Sequence, residues 1–356
     1  MKRILIMAGG TGGHVFPGIA VGKYMREKGI DVQWLGTENG FEAKIIPEAG
    51  FPLHFISIAG VRGKGIKRLL FAPFQLFFAV MQSFFIIRRL KPDVVLGMGG
   101  FASGPGGLAA WVLRCPLIIH EQNAKAGLTN QWLSHIATKI LEGFPNTFAK
   151  KNSAVVGNPV RKEIVAIENP EIRFQTRTHP LRLLVVGGSL GAQAINELLP
   201  EVLSKWPEEN RPDVYHQTGE KTFQSAADLY KKYNITARVV PFINKMDEAY
   251  AWADVVLCRA GASTIAELCA VGLGAILVPY PHAVDDHQTA NASFMVKAGA
   301  AYLIQQNELT ADKLMQLLNE FILMREKYFK MAQAAYQLRQ VEATEKVFTF
   351  CKEACH

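Results

Sequence analysis

ILIMAGGTGGH at residues 4–14 and LRLLVVGGSLGA at residues 181–192 share one plan: a short aliphatic run, a cluster of glycines, and then a periodic stretch of helical length. Such a run, closed by glycine, reads as a strand buried on both faces, and a glycine turn feeding a helix is the opening βα unit of a doubly wound parallel sheet. The plan occurs twice, so two such sheets are expected. Further strands are expected at 32–35, 53–57, 94–96, 117–119 and 154–156 after the first copy, and at 214–217, 238–242, 255–258, 275–278 and 301–304 after the second, with helices filling the gaps. The first helix is read over 15–28, with Pro17 early enough to spare its missing N–H and Gly29 as a left-handed cap.

A length of 356 residues suits two domains. The stretch 161–180 is charged, carries Pro170 and Pro180 and lacks an apolar period, so the linker is expected there. The domains are read as 1–161 and 162–337, with a last helix at about 338–356 returning to the first. Doubly wound sheets take ligands at the carboxyl ends of their strands, so the two are expected to face one another across a cleft.

Apolar residues make up 49% and charged residues 20%, which excludes a disordered chain or a disulfide scaffold. The formal charge of +8 is concentrated: Arg62, Lys64, Lys67, Arg68, Arg88, Arg89 and Lys91 supply seven of it, with no acid between 61 and 92. An excess so local argues against nucleic acid as a partner. These cations bracket an uncharged run, 69–87, that holds Phe71, Phe74, Phe77, Phe78, Phe84 and Phe85. Its length admits a transmembrane span, but Pro73, Gln75, Gln82 and Ser83 interrupt it and both flanks are basic, so a buried core helix and a segment lying in an anionic membrane surface stay open beside it. The five cysteines are odd in number and lack metal or disulfide spacing, and the apolar run at 4–8 is short for a signal peptide. A cytoplasmic chain is expected.

Glycine between a strand and a helix lets backbone approach an anion, while the helix start offers N–H groups and partial positive charge. Residues 9–13 and 187–189 have that context without being a dinucleotide fingerprint or a P-loop. A third cluster, 97–107, holds six glycines in eleven residues, which suggests that something must come close. His14 stands at the mouth of the first loop, where an imidazole suits the work of a base; a helix-start histidine bonding its own backbone is the plain alternative. His120 and Glu121 end a strand, where Glu121 serves as a base or orients the histidine. Arg259 follows a strand and suits a diphosphate, although a surface arginine fits as well. Thr264 and Glu267 are spaced as a capping box, a role that needs no ligand. His282, Asp285, Asp286 and His287 are metal-ligand types, yet no Asp-x-Asp pair occurs in the chain, so no metal and no cofactor are expected.

Eight ordered motifs carry a resemblance: AGGTGGHVFPG (8–18), VRGKG (61–65), KPDVVLGMGGFASGPGGLAA (91–110), HEQNAKAGLTN (120–130), VGNPVR (156–161), GGSLGA (187–192), CRAGASTIAE (258–267) and PHAVDDHQTANA (281–292). In this order they resemble the motifs of the MurG family, the peptidoglycan glycosyltransferases that add N-acetylglucosamine to lipid I, over nearly the whole chain. The resemblance implies the GT-B fold: α/β, two doubly wound, Rossmann-like parallel-sheet domains. It implies inverting transfer from UDP-N-acetylglucosamine to the 4-hydroxyl of the muramyl sugar of undecaprenyl-pyrophosphoryl-muramyl-pentapeptide (lipid I), giving lipid II, at the cytoplasmic face of the bacterial plasma membrane.

The family's donor contacts carry over to Thr11, Gly12, Gly13, Asn123, Arg161, Ser189, Ile243, Ala262, Ser263, Thr264, Ile265, Ala266, Glu267 and Gln288, with Glu267 on the ribose hydroxyls and Arg259 added from the residues themselves. The acceptor pyrophosphate is assigned to the first-domain glycine loops. The resemblance favours His14 as the base, with Glu121 as second choice from its place at a strand end; the charge and phenylalanine pattern itself gives Lys64, Lys67, Arg68, Phe71, Phe74, Phe77, Phe78, Phe85, Arg88 and Arg89 as the membrane-associating set. Leu190 stands where some members have Gln. Three rival readings are weaker. A nicotinamide oxidoreductase lacks its fingerprint, an adaptor leaves the glycine loops without purpose, and another glycolipid-forming transferase differs only in acceptor choice.

Overall fold

The computed structural model describes residues 1–58, 66–148, 150–175, 177, 180–188 and 191–355, with the side chains of 66–72 and 284 outside that description. Lys64 and Ser189 therefore lie outside the described residues, as do the side chains of Lys67, Arg68 and Phe71. The chain divides into two compact units, Met1–Arg161 with Val341–His356, and Lys162–Gln340.

In the first unit β1 (Arg3–Met7), β2 (Asp31–Thr37), β3 (Leu53–Ile56), β4 (Val94–Gly97), β5 (Leu117–Glu121), β6 (Lys139–Glu142) and β7 (Ser153–Val155) form a sheet ordered β3-β2-β1-β4-β5-β6-β7. Every pairing in it is parallel. Alternate residues of β1 serve opposite cores: Ile4 and Ile6 join Trp34, Val94 and Leu96, while Leu5 and Met7 join Leu35, Val95 and Ile119. This two-sided burial is why the strand reads as an unbroken aliphatic run. The last helix, Ala343–Glu353, places Val347 and Cys351 in the first of these cores, and Phe348 meets Tyr24 at 5.6 Å between ring centroids.

The second unit repeats the scheme with β8 (Arg182–Val186), β9 (Asp213–Gln217), β10 (Arg238–Val240), β11 (Val255–Cys258), β12 (Gly274–Leu277) and β13 (Ala301–Leu303), ordered β10-β9-β8-β11-β12-β13 and parallel throughout. In each sheet the strand order reverses beside the strand that carries the glycine loop: between β1 and β4, and between β8 and β11. Ligand crevices form at such reversals.

Four expectations are corrected. β6 was expected to lie within a helical gap; its sequence KILE offers two apolar residues between two charges, too little pattern for a strand signal. The first helix is Gly12–Glu27, three residues longer at its start than read, so Gly12, Gly13 and His14 form its first turn and Pro17 lies inside it. The segment 161–180 is no free linker: helices Lys162–Val165 and Pro170–Gln175 pack into the second unit. Buried Arg173 donates there from Nη2 to the Val271 and Gly272 carbonyls at 2.9 and 2.7 Å, closing the end of the Ala262–Val271 helix. Lastly, part of the 97–107 glycine cluster is the helix Ser103–Val112. A Cβ on Gly106 would meet Met7 Sδ at 2.2 Å and one on Gly107 would meet Leu133 Cδ2 at 2.6 Å, so these glycines admit the protein's own core rather than a ligand.

Candidate active site

In the first unit the loop after β1 is held by a buried carboxylate. Glu42 Oε2 accepts from the Gly10 amide at 3.0 Å, and its Oε1 accepts from the Thr37 amide and hydroxyl at 2.9 and 2.7 Å. Gly10, at φ +92°, turns the chain, and the helix begins beyond Thr11, whose carbonyl receives the His14 amide at 3.1 Å. Across the strand reversal Gly100, at φ +86°, has no room for a side chain, because a Cβ there would lie 2.1 Å from the Gly9 carbonyl oxygen. Gly99 lies so close to the His14 ring that its Cβ would be 2.8 Å from Nδ1. The glycines of the 8–14 and 99–100 loops thus bring the imidazole of His14 against backbone at the strand reversal.

His14 Nδ1 lies 2.9 Å from Gln122 Oε1. Gln122 Nε2 donates to His120 Nδ1 at 3.0 Å, and His120 Nε2 donates to the Gly157 carbonyl at 2.8 Å. Both His120 and Gln122 are buried, and burial pulls His120 down to about 4, so its ring is neutral at pH 7. Gln122 is absent from the expected site residues; no spacing signal ties it to His14, 108 positions away.

Glu121 departs from its expected roles. It is 2% exposed, and its Oε1 accepts from the Asn123 amide and Nδ2 at 3.0 and 3.1 Å. Its Oε2 accepts from the Gly127 amide at 3.1 Å and from Asn130 Nδ2 at 2.9 Å. Neighbouring strand residues point to opposite faces, so it does not orient His120; it holds the 123–130 loop. Asn123 is part of that loop, and the Arg161 guanidinium lies over the Phe16 ring at 5.9 Å.

In the second unit Gly191, at φ +80°, could carry no Cβ without meeting the Thr218 carbonyl oxygen at 2.3 Å. Ser189 of that loop lies outside the described residues. The helix after β11 runs Ala262–Val271 with Gly261 as its N-cap, so Thr264 and Glu267 are not a capping box. Glu267 Oε2 instead accepts from the Tyr250 hydroxyl at 3.0 Å. Ala262 and Ile265 are buried, as is Ile243, and these can offer a ligand little beyond main chain; Ser263, Thr264, Ala266 and Glu267 are partly exposed.

Arg259 is committed within the protein: Nη1 donates to the Val278 and Pro279 carbonyls at 3.2 and 3.1 Å, and Nη2 to Gln306 Oε1 at 2.6 Å. It braces the strand ends around the site expected for a diphosphate. Gln288 Oε1 accepts from the Ala260 and Tyr280 amides at 3.2 and 2.9 Å, joining the loops after β11 and β12. Among the described residues no cluster of His, Cys, Asp or Glu has the geometry of a metal site.

The Ile66–Leu90 helix is amphipathic. Ala79, Ser83 and Ile87 are buried, whereas Phe74, Phe77, Phe78 and Phe85 are 60–65% exposed, with Arg88 and Arg89 exposed at its end. This overturns the core-helix alternative, and among the described residues no helix is long and apolar enough to cross a membrane. Leu108, Trp111 and Val112, on the neighbouring Ser103–Val112 helix, are exposed too and had given no sequence signal.

Two all-parallel, doubly wound sheets, each opening on a strand, a glycine turn and a helix, are the two Rossmann-like domains of a GT-B fold, and the matches to known domains make it that of a glycosyltransferase. Residues 4–142 match the glycosyltransferase family 28 N-terminal domain and residues 182–347 the family 28 C-terminal domain. Proteins named UDP-N-acetylglucosamine–N-acetylmuramyl-(pentapeptide) pyrophosphoryl-undecaprenol N-acetylglucosamine transferase are similar throughout. That of Marinobacter nauticus is 51% identical over 100% of this chain and 98% of its own, and that of Nitrosococcus oceani 49% over 99% and 98%. The crystal structure of Acinetobacter baumannii MurG superposes with a TM-score of 0.86 at 40% identity, covering 99% of this chain and all of that one. The chain belongs to the MurG family of glycosyltransferases. A UDP-GlcNAc 2-epimerase from Neisseria meningitidis, at TM-score 0.67 and 12% identity, shares the fold alone.

Proposed function

We propose that this chain catalyses the reaction for which its relatives are named: transfer of N-acetylglucosamine from UDP-N-acetylglucosamine to lipid I, forming lipid II. The observation that carries this is identity of about half the residues along the full length of both units. The second unit takes the donor, through the glycine loop at 187–191 and the start of the Ala262–Val271 helix, whose dipole suits a diphosphate. Glu267, which is not part of a capping box and accepts from the Tyr250 hydroxyl, is assigned to the ribose hydroxyls. The first unit receives the acceptor, with its pyrophosphate at the glycine loops.

Inversion is a single displacement. The 4-hydroxyl oxygen forms its bond to the anomeric carbon as the bond from that carbon to the UDP oxygen breaks, and His14 Nε2 takes the hydroxyl proton. Purified protein given UDP-N-acetylglucosamine and a lipid I analogue is expected to release UDP without added divalent metal, as the lack of an Asp-x-Asp pair suggests. No release with that acceptor, beside good turnover of another lipid, would sink the substrate assignment.

The exposed phenylalanine face supports peripheral attachment to the anionic cytoplasmic surface of the plasma membrane. Aromatic rings enter the interface while Arg88 and Arg89 meet lipid headgroups, each cation contributing about 1 kcal/mol. Binding to anionic vesicles is expected to weaken with salt and to fall about fivefold for each of Arg88→Gln and Arg89→Gln. Sedimentation with vesicles that survives high salt and carbonate would contradict this surface mode.

A further inference from the structure

The chain of contacts from Gly157 to His14 has only one consistent direction of hydrogen bonding. The Gly157 carbonyl can only accept, so His120 Nε2 carries the proton and His120 Nδ1, in the neutral ring, is a lone pair. A lone pair at His120 Nδ1 requires a donor, which places the Gln122 NH2 there, and its second hydrogen points toward the His120 carbonyl 3.4 Å away. The Gln122 oxygen is thereby turned to His14, 2.9 Å from Nδ1, and that nitrogen must be the donor. Reversing the amide would set the Gln122 oxygen against His120 Nδ1. The ring would then need a proton there as well as on Nε2, a cation that burial opposes.

We propose that Gln122 and His120 are positioning residues that fix His14 in its Nδ1–H tautomer and so present Nε2 as the lone pair that takes the acceptor proton. The tautomer of a catalytic histidine is set by the bond its other nitrogen makes, and here a neutral amide makes it. Gly157, at φ +86°, is the fixed end: its amide donates to the Glu142 carbonyl at 3.1 Å. Asn158 Nδ2 steadies the Gln122 main chain through its carbonyl at 2.9 Å. When His14 becomes protonated in the transition state, Nδ1–H already has its acceptor, so no group needs to turn. The catalytic part of this inference rests on His14 being the base; the tautomer itself does not.

The test is the full-length protein labelled with nitrogen-15 in histidine, with steady-state kinetics alongside. In the wild type, His14 is expected to show a protonated Nδ1 and an unprotonated Nε2. Gln122→Leu removes the acceptor and is expected to shift His14 toward the Nε2–H form. It should lower kcat by roughly 10- to 100-fold with the KM for UDP-N-acetylglucosamine within about twofold. Gln122→Glu restores an acceptor for His14 but offers His120 no donor, so kcat is expected to recover at least partly while thermal stability does not. A purely structural glutamine would show both losses moving together.

A wild-type His14 in the Nε2–H form, or a Gln122→Leu protein with unchanged His14 resonances, overturns the relay. Unchanged kcat in Gln122→Leu beside an inactive His14→Ala overturns its catalytic importance. Full activity of His14→Ala defeats the base assignment instead, and the resonances still decide the tautomer.

Discussion

Replacing His14 by Ala is expected to lower kcat at least ~100-fold and to leave the KM for UDP-N-acetylglucosamine within about twofold. The size follows from what the ring does. A positioned general base contributes ~10²–10⁴ in rate, and among the described residues no protein group engages His14 Nε2, so nothing nearby replaces it. The split between kcat and KM follows from the ring's role: a base engages the proton of the acceptor hydroxyl, whereas the groups assigned to the donor, in the second unit and at Thr11, Gly12, Gly13, Asn123 and Arg161 of the first, are all left in place by the change. Loss of stability is expected to be small, about 1 kcal/mol or less. His14 is only partly buried, and the Thr11 carbonyl that starts its helix bonds the His14 amide and not its side chain. Initial rates of UDP release across donor concentrations, with a thermal melt of each protein, decide it. Turnover near the wild-type level would remove His14 from the chemistry.

The strands that face two cores were legible because nothing polar interrupts them: β1, β4, β8, β11 and β12 are the runs the sequence marks most plainly, and each is buried through its middle. β6 was not, since an edge-ward strand of four residues carries too little pattern. The same contrast holds within the site. His14 is visible because it ends a glycine loop, a local signal. Gln122 is invisible because its role exists only once β5 has been laid beside β4 and β4 beside β1, bringing a residue after β5 to one after β1.

His120 was noticed but matched with its sequence neighbour Glu121, although the alternation of a strand sends those two side chains to opposite faces. The phenylalanine face could be read from spacing. Leu108, Trp111 and Val112 could not, because glycines around them dominate the local reading and the helix they form shows itself only in three dimensions.

Glu121→Ala is expected to destabilise the first unit by on the order of 3–5 kcal/mol, which for a unit of this size lowers its melting transition by roughly 6–20 °C. The carboxylate accepts four N–H bonds in a site 2% exposed, two from main-chain amides at 123 and 127 and two from the Asn123 and Asn130 side chains. Truncation strands those donors, and a buried donor without an acceptor costs about 1–3 kcal/mol, part of which water entering the space returns. Glu121→Gln does not escape the loss, because one end of the amide turns N–H groups toward donors that formerly met oxygen.

A carboxylate acting as the base predicts the reverse pattern: the isosteric Gln variant would fold normally and lose kcat by ~10²-fold or more. Since the 123–130 loop carries Asn123, assigned to the donor, loosening it is expected to raise the KM for UDP-N-acetylglucosamine before it lowers kcat. Calorimetry of both variants, with the KM and kcat of each, separates the cases. A Glu121→Gln protein with an unchanged melting transition and kcat reduced 100-fold would return Glu121 to the chemistry and leave His14 to explain.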